Sequence, residues 1–133
     1  MEWKFVKILK NEKTIEEFES IIGKKLPLDY KEFIKKFNGG RPSKKLFKTV
    51  EGQEHMMKTF LSYNHEDLEN VFLVNEWLTK EFENKYFAIA SDPAGNYIVY
   101  TEDFKLNFWN HELGKIELIE KSFEEFMNSL YEE

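Results

Sequence analysis

Residues 86–100 read Tyr86-Phe87-Ala88-Ile89-Ala90-Ser91-Asp92-Pro93-Ala94-Gly95-Asn96-Tyr97-Ile98-Val99-Tyr100, and they decide the fold. Two apolar runs, 86–90 and 97–100, are rich in aromatic and β-branched residues and too short for helices. The block between them, 92–96, is made of turn formers: Asp and Asn bond their own backbone, Pro presets φ, and Gly supplies a positive φ. The stretch is therefore two strands joined by a turn. Lys105 to Trp109 continues the pattern as a third strand, with Leu106 and Phe108 on one face and Asn107 and Trp109 on the other. Gly114 marks another turn, after which Ile116 and Leu118 alternate.

Helical signals surround these strands. Thr14-Ile15-Glu16-Glu17 reads as a capping box that opens a helix with Ile15, Phe18 and Ile22 on one face and Gly23 as its stop. Pro27 suits the first turn of a second helix, in which Tyr30, Phe33, Ile34 and Phe37 recur at spacings of three and four before Asn38-Gly39-Gly40 ends it. Residues 41–60 read as a hairpin, Leu46–Val50 and Met56–Leu61 flanking Glu51-Gly52, with Met56 and Met57 as core filler. Residues 62–79 read as one helix with Asn64 or His65 before Glu66 and Asp67 in its first turn. Leu68, Val71, Phe72, Asn75 and Leu78 form its stripe, and Trp77 falls off that stripe toward solvent. Ser122-Phe123-Glu124-Glu125 is a second capping box, followed by Phe126, Met127 and Leu130. Residues 3–9 fit either a short edge strand or a helix. The order predicts an α+β domain spanning 1–133, with about four helices packed on one face of a mostly antiparallel sheet.

Composition narrows the chemistry. A chain of 133 residues supports one core. Its thirteen Phe, six Tyr and three Trp exceed what a surface needs, so most are expected inside. Cysteine is absent, which removes disulfides, thiol nucleophiles and thiolate metal sites. The start of the chain lacks a signal-peptide pattern and no apolar run reaches membrane length, so a cytoplasmic protein without membrane contact is expected. A net charge of -6 disfavours direct nucleic-acid binding. It fits a basic protein partner, or solubility alone.

No catalytic signature stands out. His55, His65 and His111 lack ligand spacing, so no metal or cofactor is expected. Ser91, Asp92 and His111 have the residue types of a triad without a nucleophile elbow, and Asp92 is expected to bond backbone within its own turn. Arg41, Lys44, Lys45 and Lys48 read as a solvated loop. The carboxylates Glu51, Glu54, Asp67, Glu69, Glu76, Glu102, Asp103 and Glu112, with Asp92, would form an acidic rim if the turns shared one side of the sheet. Tyr63, Trp77 and Trp109 would then sit at its centre, ready to hold a basic protein.

Several segments together resemble the SUKH superfamily of Smi/Knr-type domains, and within it bacterial YobK-like members. They are Ile15-Glu16-Glu17-Phe18-Glu19 with Gly23, Leu26-Pro27-Leu28-Asp29-Tyr30, Phe33-Ile34 and Phe37-Asn38-Gly39-Gly40. Further along come Phe87-Ala88-Ile89-Ala90 before Asp92 with Gly95 and Asn96, then Phe108-Trp109-Asn110-His111-Glu112 and Ser122-Phe123-Glu124-Glu125-Phe126. The resemblance implies a single α+β domain with a curved sheet. It implies no enzyme activity, and a function as an immunity protein that neutralises a cognate toxin, often a nuclease, by stoichiometric binding. A scaffold or regulatory module unrelated to toxins is the alternative, since eukaryotic relatives act as interaction modules. By the same resemblance Glu19, Pro27, Gly39 and Gly95 support the fold, while Asp92, Trp109, His111 and Glu112 support it or line the binding cleft. Family members often show Gly-Asp before the central glycine where this chain has Ser91-Asp92-Pro93, so the turn geometry is open to departure here.

Overall fold

In the computed structural model, which describes residues 1–83 and 85–132, the late strands form as the sequence predicts. An open five-stranded antiparallel sheet has the order β5 (Thr59–Phe60), β6 (Phe87–Ser91), β7 (Tyr97–Tyr100), β8 (Leu106–Asn110) and β9 (Lys115–Lys121). Registers such as Tyr97↔Trp109 and Ile98↔Phe108 set the two faces. Two bulges interrupt the ladder, one at Ile89 in β6 and one at Ile119-Glu120 in β9. A bulge leaves backbone donors without strand partners. Here the buried Asn107 carboxamide repairs the second, its Oδ1 accepting from Ile119 N at 2.8 Å and Glu120 N at 3.1 Å.

Helix α1 (Lys13–Ile22) begins earlier than the Thr14 capping box predicts. Asn11 takes the capping role, its Oδ1 accepting from Lys13 N and its carbonyl from Thr14 N and Thr14 Oγ1. Glu17 instead lies 2.9 Å from His65 Nε2. Gly23 ends the helix at φ 74 as expected. Helix α2 (Leu28–Phe37) starts just after Pro27 rather than including it. Its stripe Tyr30, Phe33 and Ile34 is buried.

The N-terminal segment is an edge strand, β1 (Trp3–Lys4), paired to β2 (Arg41–Pro42). Strands β3 (Leu46–Lys48) and β4 (Glu54–Met56) make the expected hairpin. The returning arm then changes partner, because residues 59–60 leave the hairpin and join the main sheet as β5. Met57, at the crossing, is fully buried, whereas Met56 is 42% exposed, so only one of the two fills the core.

The single helix expected over 62–79 is corrected. Residues 62–70 form a loop, and α3 runs Val71–Glu81 with Asn70 as its cap, Oδ1 accepting from Leu73 N at 2.9 Å. Polar side chains that bond backbone favour such a loop over a helix. Asn64 bridges to Ile8 O and Lys10 N, and Asp67 accepts from Ser62 Oγ and Asn64 Nδ2. Leu68, placed on the helical stripe by spacing, is 95% exposed.

Helix α4 (Phe123–Ser129) carries the predicted Ser122–Glu125 capping box. It packs with α2 on the Tyr100–Phe108 face of the sheet, through pairs such as Tyr30–Tyr100 at 5.5 Å and Tyr30–Phe123 at 5.2 Å. The hairpin covers the same face through Phe47–Phe108. Helix α3 covers the other face, against Tyr97 and Trp109. Helices thus lie on both faces, not one. The Tyr97–Val99–Trp109 side of the sheet is itself apolar and needs cover.

Candidate partner-binding surface

An antiparallel run of strands alternates its turns between two ends, and this separates the acidic residues that sequence reasoning grouped. The β6–β7 and β8–β9 turns share one end, joined where His111 N donates to Asn96 Oδ1 at 2.7 Å. Asp92, His111 and Glu112 therefore stand together. Glu102 and Asp103 lie in the β7–β8 turn at the opposite end, where Lys24 Nζ donates to Glu102 O at 2.6 Å. Glu51 and Glu54 belong to the hairpin, whose tip meets β9 through Val50 N donating to Leu118 O at 2.7 Å. Tyr131 donates to Glu54 Oε2 at 2.5 Å. Asp67 sits in the loop before α3. One continuous rim does not form.

Two of the three aromatics expected at its centre are core residues. Tyr63 has no exposed surface and shares a 2.9 Å hydroxyl hydrogen bond with Tyr30. Burial drives both phenols far above their ordinary range. Trp109 is 7% exposed and meets Phe82 edge-on at 4.8 Å. Trp77 is the one that faces outward, at 42%.

Asp92 is a turn residue. Its Oδ1 accepts from Ala94 N at 2.9 Å and Asn96 N at 2.7 Å, and its Oδ2 accepts from Asn96 Nδ2 at 2.9 Å. Gly95 supplies φ 87 there. Pro93 removes one donor, but Ala94 and Asn96 provide the amides, so the turn closes without it. Ser91 Oγ donates to Glu69, not to a histidine, and the Asp92 carboxylate is taken up by its own turn, so Ser91, Asp92 and His111 are not hydrogen-bonded as a triad. Among the described residues, no group of three or more acidic or histidine side chains is placed to hold a metal ion.

Glu19 staples α1 to α2. It is 5% exposed, accepts from Leu26 N at 2.7 Å, and pairs with Lys31 Nζ at 2.9 Å. Burial pushes its carboxyl up, but Lys31 and the Leu26 N–H outweigh that and leave it below the ordinary carboxylate range. Gly39 has φ 67, and a side chain there would meet Lys7 Cγ at 3.0 Å.

Sequence reasoning put Glu69 on the middle helix among the rim carboxylates, whereas it stands in the loop before α3. It pairs with Lys58 and accepts from Ser91 Oγ at 3.1 Å. A groove of about 330 Å³ lies on one side of it, lined in part by Phe5, Arg41, Asp67 and Leu68. Another of about 270 Å³ lies toward Val74, Pro93 and Tyr97. A signal for this region was present in the charge order. Residues 1–50 hold 13 Lys or Arg and 7 Asp or Glu, a net +6, whereas residues 51–133 hold 6 and 18, a net -12. The acidity of the chain belongs to the half that builds α3 and the main sheet.

Residues 12–127 match the SUKH family model described as SMI1-KNR4 cell-wall. The chain is also similar to the SPbeta prophage-derived uncharacterized protein YokK of Bacillus subtilis (strain 168), with 31% identity over 144 aligned positions covering 90% of this chain and 73% of that protein. No solved structure matches. No helix among the described residues is long and apolar enough to cross a membrane. The family match spans nearly the whole domain, and the chain belongs to the SUKH superfamily, in its SMI1-KNR4 cell-wall family.

Proposed function

We propose that this chain is an immunity protein that binds a cognate toxin domain in the cytoplasm and blocks it by stoichiometric complex formation. Membership of a family of immunity-type domains carries the reading. The prophage origin printed in the name of the Bacillus subtilis relative is compatible with it. The toxin class proposed is a nuclease. Nuclease grooves must attract phosphate and are therefore cationic, and the net -12 of residues 51–133 suits such a surface. The same carboxylates repel nucleic acid, so the chain acts on the toxin and not on its substrate.

Co-expression tests this. A toxin domain encoded beside this chain's gene is expected to arrest growth alone and to be tolerated when this chain is produced with it. Continued arrest despite folded, abundant chain would overturn the reading.

A further inference from the structure

We propose that the outer face of α3 and the trough beside it dock a protein surface that is cationic with an apolar residue at its centre. This rests on the partner-binding reading above and names the face that performs it. Leu73 and Trp77 stand one helical turn apart, 59% and 42% exposed, while Val71, Asn75 and Leu78 hold the inner face of the same helix. Tyr97 meets the Trp77 ring edge-on at 6.1 Å and steadies it. A large aromatic already held in place loses little freedom on contact, which is what an interface anchor requires.

Carboxylates outnumber bases beside this apolar strip: Glu76 and Glu81 against Lys80 on α3, and Glu66, Asp67, Glu69 and Asp92 against Lys7, Arg41 and Lys58 in the two grooves. Glu76 is exposed beside Trp77 on α3, and the two grooves meet at Glu69. Lys58 and Ser91 hold the two oxygens of Glu69, so its remaining lone pairs are oriented before any partner arrives. The first groove leads to Leu68, 95% exposed, and to Phe5, over whose ring the Arg41 guanidinium sits at 5.0 Å. Apolar anchors beside a net excess of acidic groups match a protein partner of opposite net charge. A phosphate backbone would be repelled by the same groups.

The test is an amide-resolved NMR titration of the full chain with a Lys/Arg-rich peptide bearing one central Leu. Shifts are expected at Leu73, Tyr97 and the Trp77 indole N–H, with affinity falling at least tenfold between about 50 and 300 mM salt. Trp77→Ala and Glu76→Lys should each weaken binding at least fivefold. Leu28→Ser, at an exposed apolar position on α2, should leave it unchanged. Shifts centred on the 101–105 turn or the 49–53 hairpin tip, no shifts at low salt, or indifference to both variants would overturn the proposal. So would sedimentation showing a dimer that Trp77→Ala abolishes, since a second copy would then occupy the face. A toxin domain that binds Trp77→Ala as tightly as wild type removes the face and leaves the immunity reading standing. Peptide docking on α3 without toxin binding does the reverse.

Discussion

Replacing Glu19 with Ala should be among the costliest single changes in this chain. The carboxylate is 5% exposed and accepts a backbone hydrogen bond at 2.7 Å and a lysine at 2.9 Å. Removing it leaves the buried Leu26 N–H without its acceptor, a loss of about 1–3 kcal/mol, and ends a charge-assisted contact. Lys31 keeps 24% of its side chain exposed and can turn to water, so the full penalty of an orphaned buried charge does not apply. The expected total is about 3 kcal/mol. With a urea slope of about 2 kcal/mol/M, the midpoint should fall by about 1.5 M. Glu19→Gln keeps an acceptor for Leu26 and should cost about half as much. The pH dependence follows from the lowered carboxyl. Its folded value lies below the unfolded value of about 4.3, so the stabilisation is present above that pH and is lost as pH falls through the folded value. In urea titrations the gap between wild type and Glu19→Gln should therefore be full at pH 7 and narrow as the pH is lowered through the acid range. A Glu19→Ala midpoint within about 0.3 M of wild type at pH 7 would refute the staple.

Other expectations follow from single groups. Asn107→Ala should cost about 2 kcal/mol, because two amides of the β9 bulge lose their acceptor; hydrogen exchange should locate the lost protection at Ile119 and Glu120. Gly39→Ala should destabilise more than Gly95→Ala in thermal melts. Both force a positive φ on a side chain, but only at Gly39 does the new methyl also meet a neighbour, Lys7, at 3.0 Å. Asn70→Ala should remove about 1–2 kcal/mol by uncapping α3, measurable by urea denaturation, and Asn70→Asp should not restore it, because its second oxygen would face the Asp67 carbonyl to which Asn70 Nδ2 donates at 2.8 Å.

The strands from residue 86 onward were legible because their signals are local: short apolar runs, turn residues and alternation. The same holds for the Ser122 capping box. What failed depended on side chains reaching across the chain. Asn64 and Asp67 looked like helix starters, but their partners are Ile8, Lys10 and Ser62, which no local pattern reveals. Tyr63 looked like a surface aromatic until α2 supplied Tyr30 to bond its hydroxyl. The acidic rim failed for a topological reason, since turns at 92–96 and 101–105 must lie at opposite ends of an antiparallel sheet. Trp77 was read as exposed because it left the stripe, and it is. Glu69 was read only as one more rim carboxylate on a helix, because its partners Lys58 and Ser91 lie eleven and twenty-two residues away.

The most direct test of the immunity reading is a calorimetric titration of this protein with a catalytically inactivated toxin domain from the adjacent gene, paired with an activity assay of the intact domain. The account predicts saturable, nanomolar binding near one-to-one and loss of toxin activity at the same equivalence point. Absence of heat with both proteins folded, or full toxin activity in the saturated complex, would contradict it.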